Sequence, residues 1–230
     1  VAGLGVMIKI MSEAPELDLT KLQFVEASKV YDINDDFYQE LQSSERREPV
    51  TIQEVPELVQ LAFVSIEDQR FYSHFGVDIR GTMKAVIGVL TSGGTDGAGG
   101  STITQQLIKQ THLTSEVSVK RKVMEWKLAY QLEKKMSKRE ILGAYLNKIN
   151  LSSAWGLESA SQLYFGVSCD KLSVSQAACI ASIMKAPTYY NPYSYVTAED
   201  GSEHIEKVTD ENGKTKVVQS EANAERSKLI

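Results

Sequence analysis

Glu67 and Asp68 stand side by side directly after the apolar run LVQLAFVSI, and Arg70 and His74 follow within the stretch EDQRFYSHFG. A surface helix spreads its acids over the solvent face. A pair at the end of an apolar run sits instead at the rim of something buried, where partial desolvation can raise a carboxyl group toward the range a general base needs. A second polar group follows a glycine-rich loop: Ser101, Thr102, Gln105, Gln106 and Lys109 in GGSTITQQLIK. Thr102, Gln105, Gln106 and Lys109 are spaced i, i+3, i+4 and i+7, so they share one helical face, at a helix N-terminus that can favour an anion. The third group is Arg121, Lys122 and Glu125 in RKVME, a carboxylate with two bases at helical spacing. Each group has an ordinary structural alternative: a helix C-terminus, a polar solvent face, or an ion pair that contributes at most about 0.5 kcal/mol.

Several chemistries are excluded. His74, Asp68 and Asp78 could ligate a metal, but the chain has only three histidines and no HExxH pair, so the protein by itself builds no zinc site. There is no GxSxG elbow for a Ser-His-Asp triad, and the glycine loop lacks the GxxxxGK[ST] order of a nucleotide loop. The net charge of -5, from 30 acids against 25 bases, gives no reason to expect nucleic acid. The bases are uneven, however. Lys109, Lys120, Arg121, Lys122, Lys127, Lys134, Lys135, Lys138 and Arg139 face only Glu116, Glu125 and Glu133. Such a patch suits an anionic ligand or membrane surface, or is a solvated helix face. Cys169 and Cys179 belong to no CxxC unit; a disulfide is open, and with it the redox compartment.

The elements that must position these groups are mainly helical. LVQLAFVSIEDQRF fits a helix with Leu58, Leu61, Ala62, Ser65 and Ile66 on one face. A second helix is predicted over 78–90. Ser101 is the expected N-cap of the helix carrying Ile103, Leu107 and Ile108. Ser118 caps a long helix to Lys135, and further helices start at Ser137, Gly156 and Ser173. Before them, residues 11–56 read as an extended or hairpin segment, with a strand-turn-strand in KVYDINDDFYQEL. After them, residues 195–230 hold a polar hairpin or loop about Asn212-Gly213, and then AERSKLI, which looks like the start of a helix. At the other end, VAGLGVMIKI is too short to cross a bilayer, which takes about 20 residues. It reads either as the end of a transmembrane helix or as an ordinary strand or core segment.

Taken in order, EDQRFYSHFGVD, GGSTITQQLIK, RKVME and KREILGAYLN resemble the successive motifs of the peptidoglycan glycosyltransferases, the lipid II polymerising domains of class A penicillin-binding proteins and monofunctional transglycosylases. The resemblance runs over about residues 50–192 and includes LSVSQAACIASIMKAPTYYNP. It departs from the family at NKINLSSAWGLESASQLYFG, where Trp155-Gly156 takes the Tyr-Gly place with one residue fewer before it. It departs again at Gln69, a basic position in many members, and at VSV before RKVME, where some members carry an arginine.

The resemblance implies a mainly α fold: a lysozyme-like helical lobe with a smaller, membrane-contacting jaw lobe near 77–100, the glycosyltransferase domain covering 57–194. It makes residues 1–10 the end of a transmembrane anchor of type II topology. That puts the domain on the extracytoplasmic face of the cytoplasmic membrane and AERSKLI at the start of a link to a C-terminal transpeptidase domain. The implied reaction is inverting transfer from one undecaprenyl-diphosphate-linked sugar to the 4-hydroxyl of another, with lipid II and the growing glycan strand as partners. Glu67 is implied as the base. Glu125 is implied as a second catalytic-site acid that positions the donor site, orders Arg121 and Lys122, or helps hold a divalent ion. Arg70, Lys109 and Arg121 are implied around the diphosphate, and Asp68, Ser101, Thr102, Gln105, Gln106 and Lys122 at the substrate site, with Asp68 hydrogen-bonding or ordering the turn. His74, Gly76 and Asn147 are implied as structural. Glycosyl diphosphates leave as anions, so cations serve better than a general acid. Mg²⁺ or Mn²⁺ is expected with the diphosphate, not in a protein cage. A murein-cleaving lysozyme or lytic transglycosylase would share the glutamate and the helices but would not need the basic set; a non-catalytic cell-wall scaffold would need neither acid.

Overall fold

The computed structural model describes residues 5, 9–22, 29–34, 37–40, 48–84, 100–114, 116, 118–185, 190–191, 195–197, 203–205, 207–209 and 215–217. The chain is mainly helical, the class expected. Among the described residues, the helices with both ends defined are α1 (Glu57–Glu67), α2 (Ile103–His112), α3 (Val119–Glu133), α4 (Lys138–Lys148), α5 (Leu157–Phe165) and α6 (Val174–Lys185). Six short strands form three separate antiparallel ribbons: β1 (Lys29–Tyr31) with β2 (Phe37–Glu40), β3 (Tyr195–Thr197) with β4 (Glu203–Ile205), and β5 (Lys207–Thr209) with β6 (Thr215–Val217). The first corresponds to the strand-turn-strand in KVYDINDDFYQEL, and the last flanks Asn212-Gly213. The β3–β4 ribbon has no counterpart in the sequence reading.

The chain divides into two compact units. One comprises residues 1–24 and 67–148, the other 25–66 and 149–230. In the first, α2 packs on α3 and α4. Its core holds Phe71, Ile103, Leu107, Ile108, Leu128, Leu132, Ile141, Leu142, Tyr145 and Leu146, all completely buried. Burial of a side chain of this size contributes about 1.5–3 kcal/mol. Each of these three helices starts on a side chain that satisfies an otherwise orphaned N–H. Ser118 Oγ accepts from Arg121 N at 3.1 Å. Ser137 and Glu140 bond reciprocally at the start of α4. At α2 the N-cap is Thr102 and not Ser101: Thr102 Oγ1 accepts from Gln105 N at 3.1 Å, while Gln105 Oε1 accepts from Thr102 N at 2.9 Å. Ser and Thr are equivalent as signals; the glutamine three residues on selects Thr102.

In the second unit, α5 packs against α6 over a core including Leu157, Ala160, Tyr164, Ala177, Ile180 and Ile183. The buried face of α1 is Val59, Gln60, Phe63 and Val64, while Leu58 and Leu61 are 46% and 47% exposed. This corrects the face read from periodicity. The run is apolar on more than one side, and the position of Gln60 is set by a non-periodic feature, its amide donating to the carbonyls of Ile52 and Val55. Cys169 and Cys179 are both buried, and no disulfide joins them to one another. Burial, with the Glu158 carboxylate beside it, pushes the Cys169 thiol up to about 12.

Residues 79–84 are helical, a turn that starts after Asp78; the rest of the helix predicted to 90, most of the jaw segment and AERSKLI lie outside the described residues. Of VAGLGVMIKI only Gly5, Lys9 and Ile10 are described, and residues 9–12 are helical. Among the described residues no helix is long and apolar enough to cross a membrane.

Candidate active site

The candidate residues lie in the first unit. Glu67 ends α1, half-buried, and its Oε2 accepts from Gln106 Nε2 at 2.6 Å. The other oxygen makes no hydrogen bond among the described residues. Gln106 lies one turn into α2, and its Oε1 accepts from Tyr145 Oη at 3.3 Å. A carboxylate with one oxygen held by an amide and the other unengaged can receive a proton from a bound hydroxyl.

Asp68 points inward. It is 7% exposed, and its carboxylate accepts from His74 Nε2 at 2.8 Å and from the backbone N–H of Ile103 at 3.1 Å. Ile103 is the first residue of α2, so the acid sits where the helix dipole favours negative charge. Gly76 N donates to His74 Nδ1 at 3.2 Å, which assigns the imidazole proton to Nε2, facing Asp68. Beneath the imidazole, Lys138 Nζ lies 3.4 Å from Nδ1, donates to Glu133 Oε1 at 2.6 Å and sits 4.4 Å above the Phe71 ring. Glu133 in turn accepts from Thr104 Oγ1 at 2.6 Å. Gly76 adopts φ +87°, and a Cβ there would meet the Ala129 carbonyl oxygen at 2.6 Å, so only glycine lets this turn lie against α3. Thr102 Oγ1 donates to the Gly76 carbonyl, tying the turn to the head of α2.

These contacts revise several sequence-based roles. Thr102 and Gln105 are buried in the cap of α2, where the sequence placed them on an open face, while Asp68 hydrogen-bonds within the turn and to the head of that helix. The face read as Thr102, Gln105, Gln106 and Lys109 is divided. The first two are spent on the cap, Gln106 meets Glu67, and Lys109 is exposed with no ion pair among the described residues. The physical reason is that the helix begins at Ile103, so Thr102 and Gln105 act through the capping box before helical facing applies.

The cations have definite partners. Lys122 Nζ donates to Ser101 Oγ at 2.8 Å and pairs with Glu125, which is 1% exposed. Arg70 pairs with Asp78 through Nε at 3.0 Å and a second contact from its terminal nitrogen. Burial pushes the Asp78 carboxyl up, but the Arg70 guanidinium and the N–H groups of Gly81 and Arg80 outweigh it and hold it below its usual range. Arg121 Nε is buried without a hydrogen-bond partner among the described residues. Asn147 is buried in α4, its amide donating to the Gly143 carbonyl at 2.8 Å. The rest of the basic run separates into unrelated contacts: Lys120 pairs with Glu13, and Lys127 donates to the Met11 carbonyl.

Thr104 and Tyr145 had no functional reading in the sequence. Their spacings are those of ordinary helix residues, and their partners Glu133 and Gln106 lie 29 and 39 residues away.

A helical domain that exposes one oxygen of a braced carboxylate, and carries a lysine–glutamate pair at the head of a neighbouring helix, has the parts of an acid–base enzyme for an anionic substrate. The chain belongs to the transglycosylase family, the peptidoglycan glycosyltransferases: residues 34–211 match the family model described as transglycosylase. Among its relatives are penicillin-binding protein 1A of Clostridium botulinum, 42% identical over 90% of this chain, and that of Streptococcus oralis, 41% identical over 85%. Penicillin-binding protein 1A/1B of Bacillus subtilis is 42% identical over 84% of this chain. The chain spans about a quarter of the length of these relatives, covering 26%, 31% and 21% of them respectively.

Proposed function

We propose that the domain polymerises lipid II into β-1,4-linked glycan by an inverting displacement with Glu67 as the base. The observation that carries this reading is the 2.6 Å bond from Gln106 to one oxygen of Glu67, with the second oxygen unengaged among the described residues. That oxygen takes the proton of the acceptor 4-hydroxyl as the hydroxyl oxygen bonds to the donor anomeric carbon. The carbon–oxygen bond to the diphosphate breaks on the opposite face, and undecaprenyl diphosphate leaves with the electron pair. Its charge calls for cations and not a proton donor. Lys122, aimed by Glu125 and Ser101, is one; Arg70, fixed by Asp78, Lys109 and Arg121 are the others. In this scheme Glu125 acts by holding Lys122. A Mg²⁺ or Mn²⁺ ion would travel with the diphosphate and share its neutralisation with these lysines and arginines.

The name penicillin-binding protein on the relatives, together with the quarter of their length matched here, supports a further, transpeptidase-type domain in the full protein and a membrane-anchored location outside the cytoplasm. The test is incubation of the protein in detergent with labelled lipid II, with and without moenomycin. Moenomycin-sensitive polymer supports the proposal. Fragmentation of finished murein without polymer would indicate a lytic enzyme, and neither product a scaffold.

A further inference from the structure

The bond between Gln106 and Glu67 depends on which way the glutamine amide faces. The two ends of a carboxamide are nearly identical in shape, and only the nitrogen end can donate to a carboxylate. The oxygen end, turned to Glu67, would set lone pairs against lone pairs. Nothing in Gln106 itself chooses between the two. Across the amide stands Tyr145, completely buried in α4, with its hydroxyl 3.3 Å from Gln106 Oε1. The Glu67 carboxylate only accepts, so it takes the nitrogen end, and Tyr145, donating its buried hydroxyl to the oxygen end, holds the amide in that orientation.

We infer that Tyr145 is a positioning residue for the reaction: through Gln106 it fixes the orientation of the Glu67 carboxylate and leaves a defined oxygen to take the acceptor proton. The inference rests on the reading of Glu67 as the base. Its geometry is non-local. Tyr145 is 39 residues from Gln106, and Gln106 is 39 residues from Glu67, so three separate motifs meet in one chain of hydrogen bonds. The support behind Tyr145 is rigid: Ile141, Leu142 and Leu146 of the same helix are completely buried, and Ser137 and Glu140 cap its start. The charged groups that act on the phenol are Glu67 and Asp68; burial first, and then these two carboxylates, push its ionisation well above the ordinary tyrosine range. Tyr145 is therefore a donor throughout the pH range in which a carboxylate base works, and a change in the pH–rate profile cannot come from its own titration.

The experiment compares Tyr145→Phe, Gln106→Leu, the double variant and Glu67→Gln in initial-rate polymerisation of lipid II across pH, with thermal melting of each. Tyr145→Phe should lower kcat about tenfold, leave KM nearly unchanged and move the acid limb of kcat to higher pH, because the carboxylate loses its donor. Gln106→Leu should move the limb in the same direction. Since Gln106 is only half-buried, that variant carries the test even if removing the buried hydroxyl harms folding. Adding Tyr145→Phe to Gln106→Leu should cost nothing further, since Tyr145 acts only through that amide. An inactive Glu67→Gln with a Tyr145→Phe that keeps its kcat and acid limb, or with additive losses in the double variant, overturns the role of Tyr145 alone. An active Glu67→Gln overturns the base and this inference with it, and the two failures are read from different variants.

Discussion

Asp68 and Ile103 stand 35 residues apart, and the carboxylate of the first accepts the backbone N–H of the second at 3.1 Å. The residue that follows the candidate base thus anchors the head of the helix whose glutamine holds that base. Asp68→Ala would leave that N–H and His74 Nε2 buried without an acceptor. The expected cost is at least about 2 kcal/mol, at roughly 1–3 kcal/mol per orphaned donor, with turnover falling as α2 loses its seat. Urea unfolding of the variant is the measurement, and wild-type stability would mean that the brace carries nothing.

The two glutamates should fail differently. Glu67→Gln keeps size but cannot take a proton, so polymerisation should drop by about 10² to 10⁴, with moenomycin affinity nearly unchanged. Glu125→Gln instead frees Lys122 from its buried partner, so both turnover and moenomycin affinity, or the response to divalent ions, should change. Measuring rate and affinity for both variants separates the roles. Loss of moenomycin binding in the first variant but not the second would reverse them.

Lys109 is exposed and unpaired among the described residues, so Lys109→Ala should leave the melting temperature alone. If the lysine meets the diphosphate, turnover falls by about 10². Wild-type kinetics would reduce it to an ordinary surface residue.

Gly76 and Gly166 both adopt positive φ, but only Gly76 is hemmed in, with the Ala129 carbonyl 2.6 Å from the place of a Cβ. Gly166→Ala should cost about 1–2 kcal/mol of left-handed backbone strain. Gly76→Ala adds a clash with backbone and should cost on the order of 3 kcal/mol or more. Equal melting-point losses in the two variants would show that the turn can move off α3.

Acid sensitivity is expected at Glu158. Burial pushes its carboxyl up, but donors from Cys169, Gln162 and Ser168 outweigh burial and hold it below its usual range. A depressed native value means that the unfolded chain binds the proton more readily. The stabilisation is therefore complete above the ordinary carboxylate range and is lost as pH falls through the lowered native value. The stability gap between wild type and Glu158→Gln should close with acidification, measured by denaturant unfolding near pH 6 and near pH 3. A gap independent of pH would remove Glu158 from the acid response.

By itself, the sequence determined the helical class, the caps at Ser118, Ser137 and Ser173, and the polar groups around Glu67, Gln106 and Lys122, because caps, periodicity and motif order are properties of neighbours in the chain. Tertiary structure decided which members of those groups face outward. Thr102 and Gln105 looked like the substrate face of a helix and are its buried cap, because the helix starts one residue after Thr102. Leu58 and Leu61 looked like core and are half-exposed, because an apolar run on several faces leaves the choice to what packs against it. The pairing of Asp68 with Ile103, of Lys138 with Glu133 beneath His74, and of Tyr145 with Gln106 joins motifs that spacing treats as independent. Hydrogen bonds between distant segments leave no period in the sequence, so the orientation of the candidate base was decided only where Glu67, Gln106 and Tyr145 met within one unit.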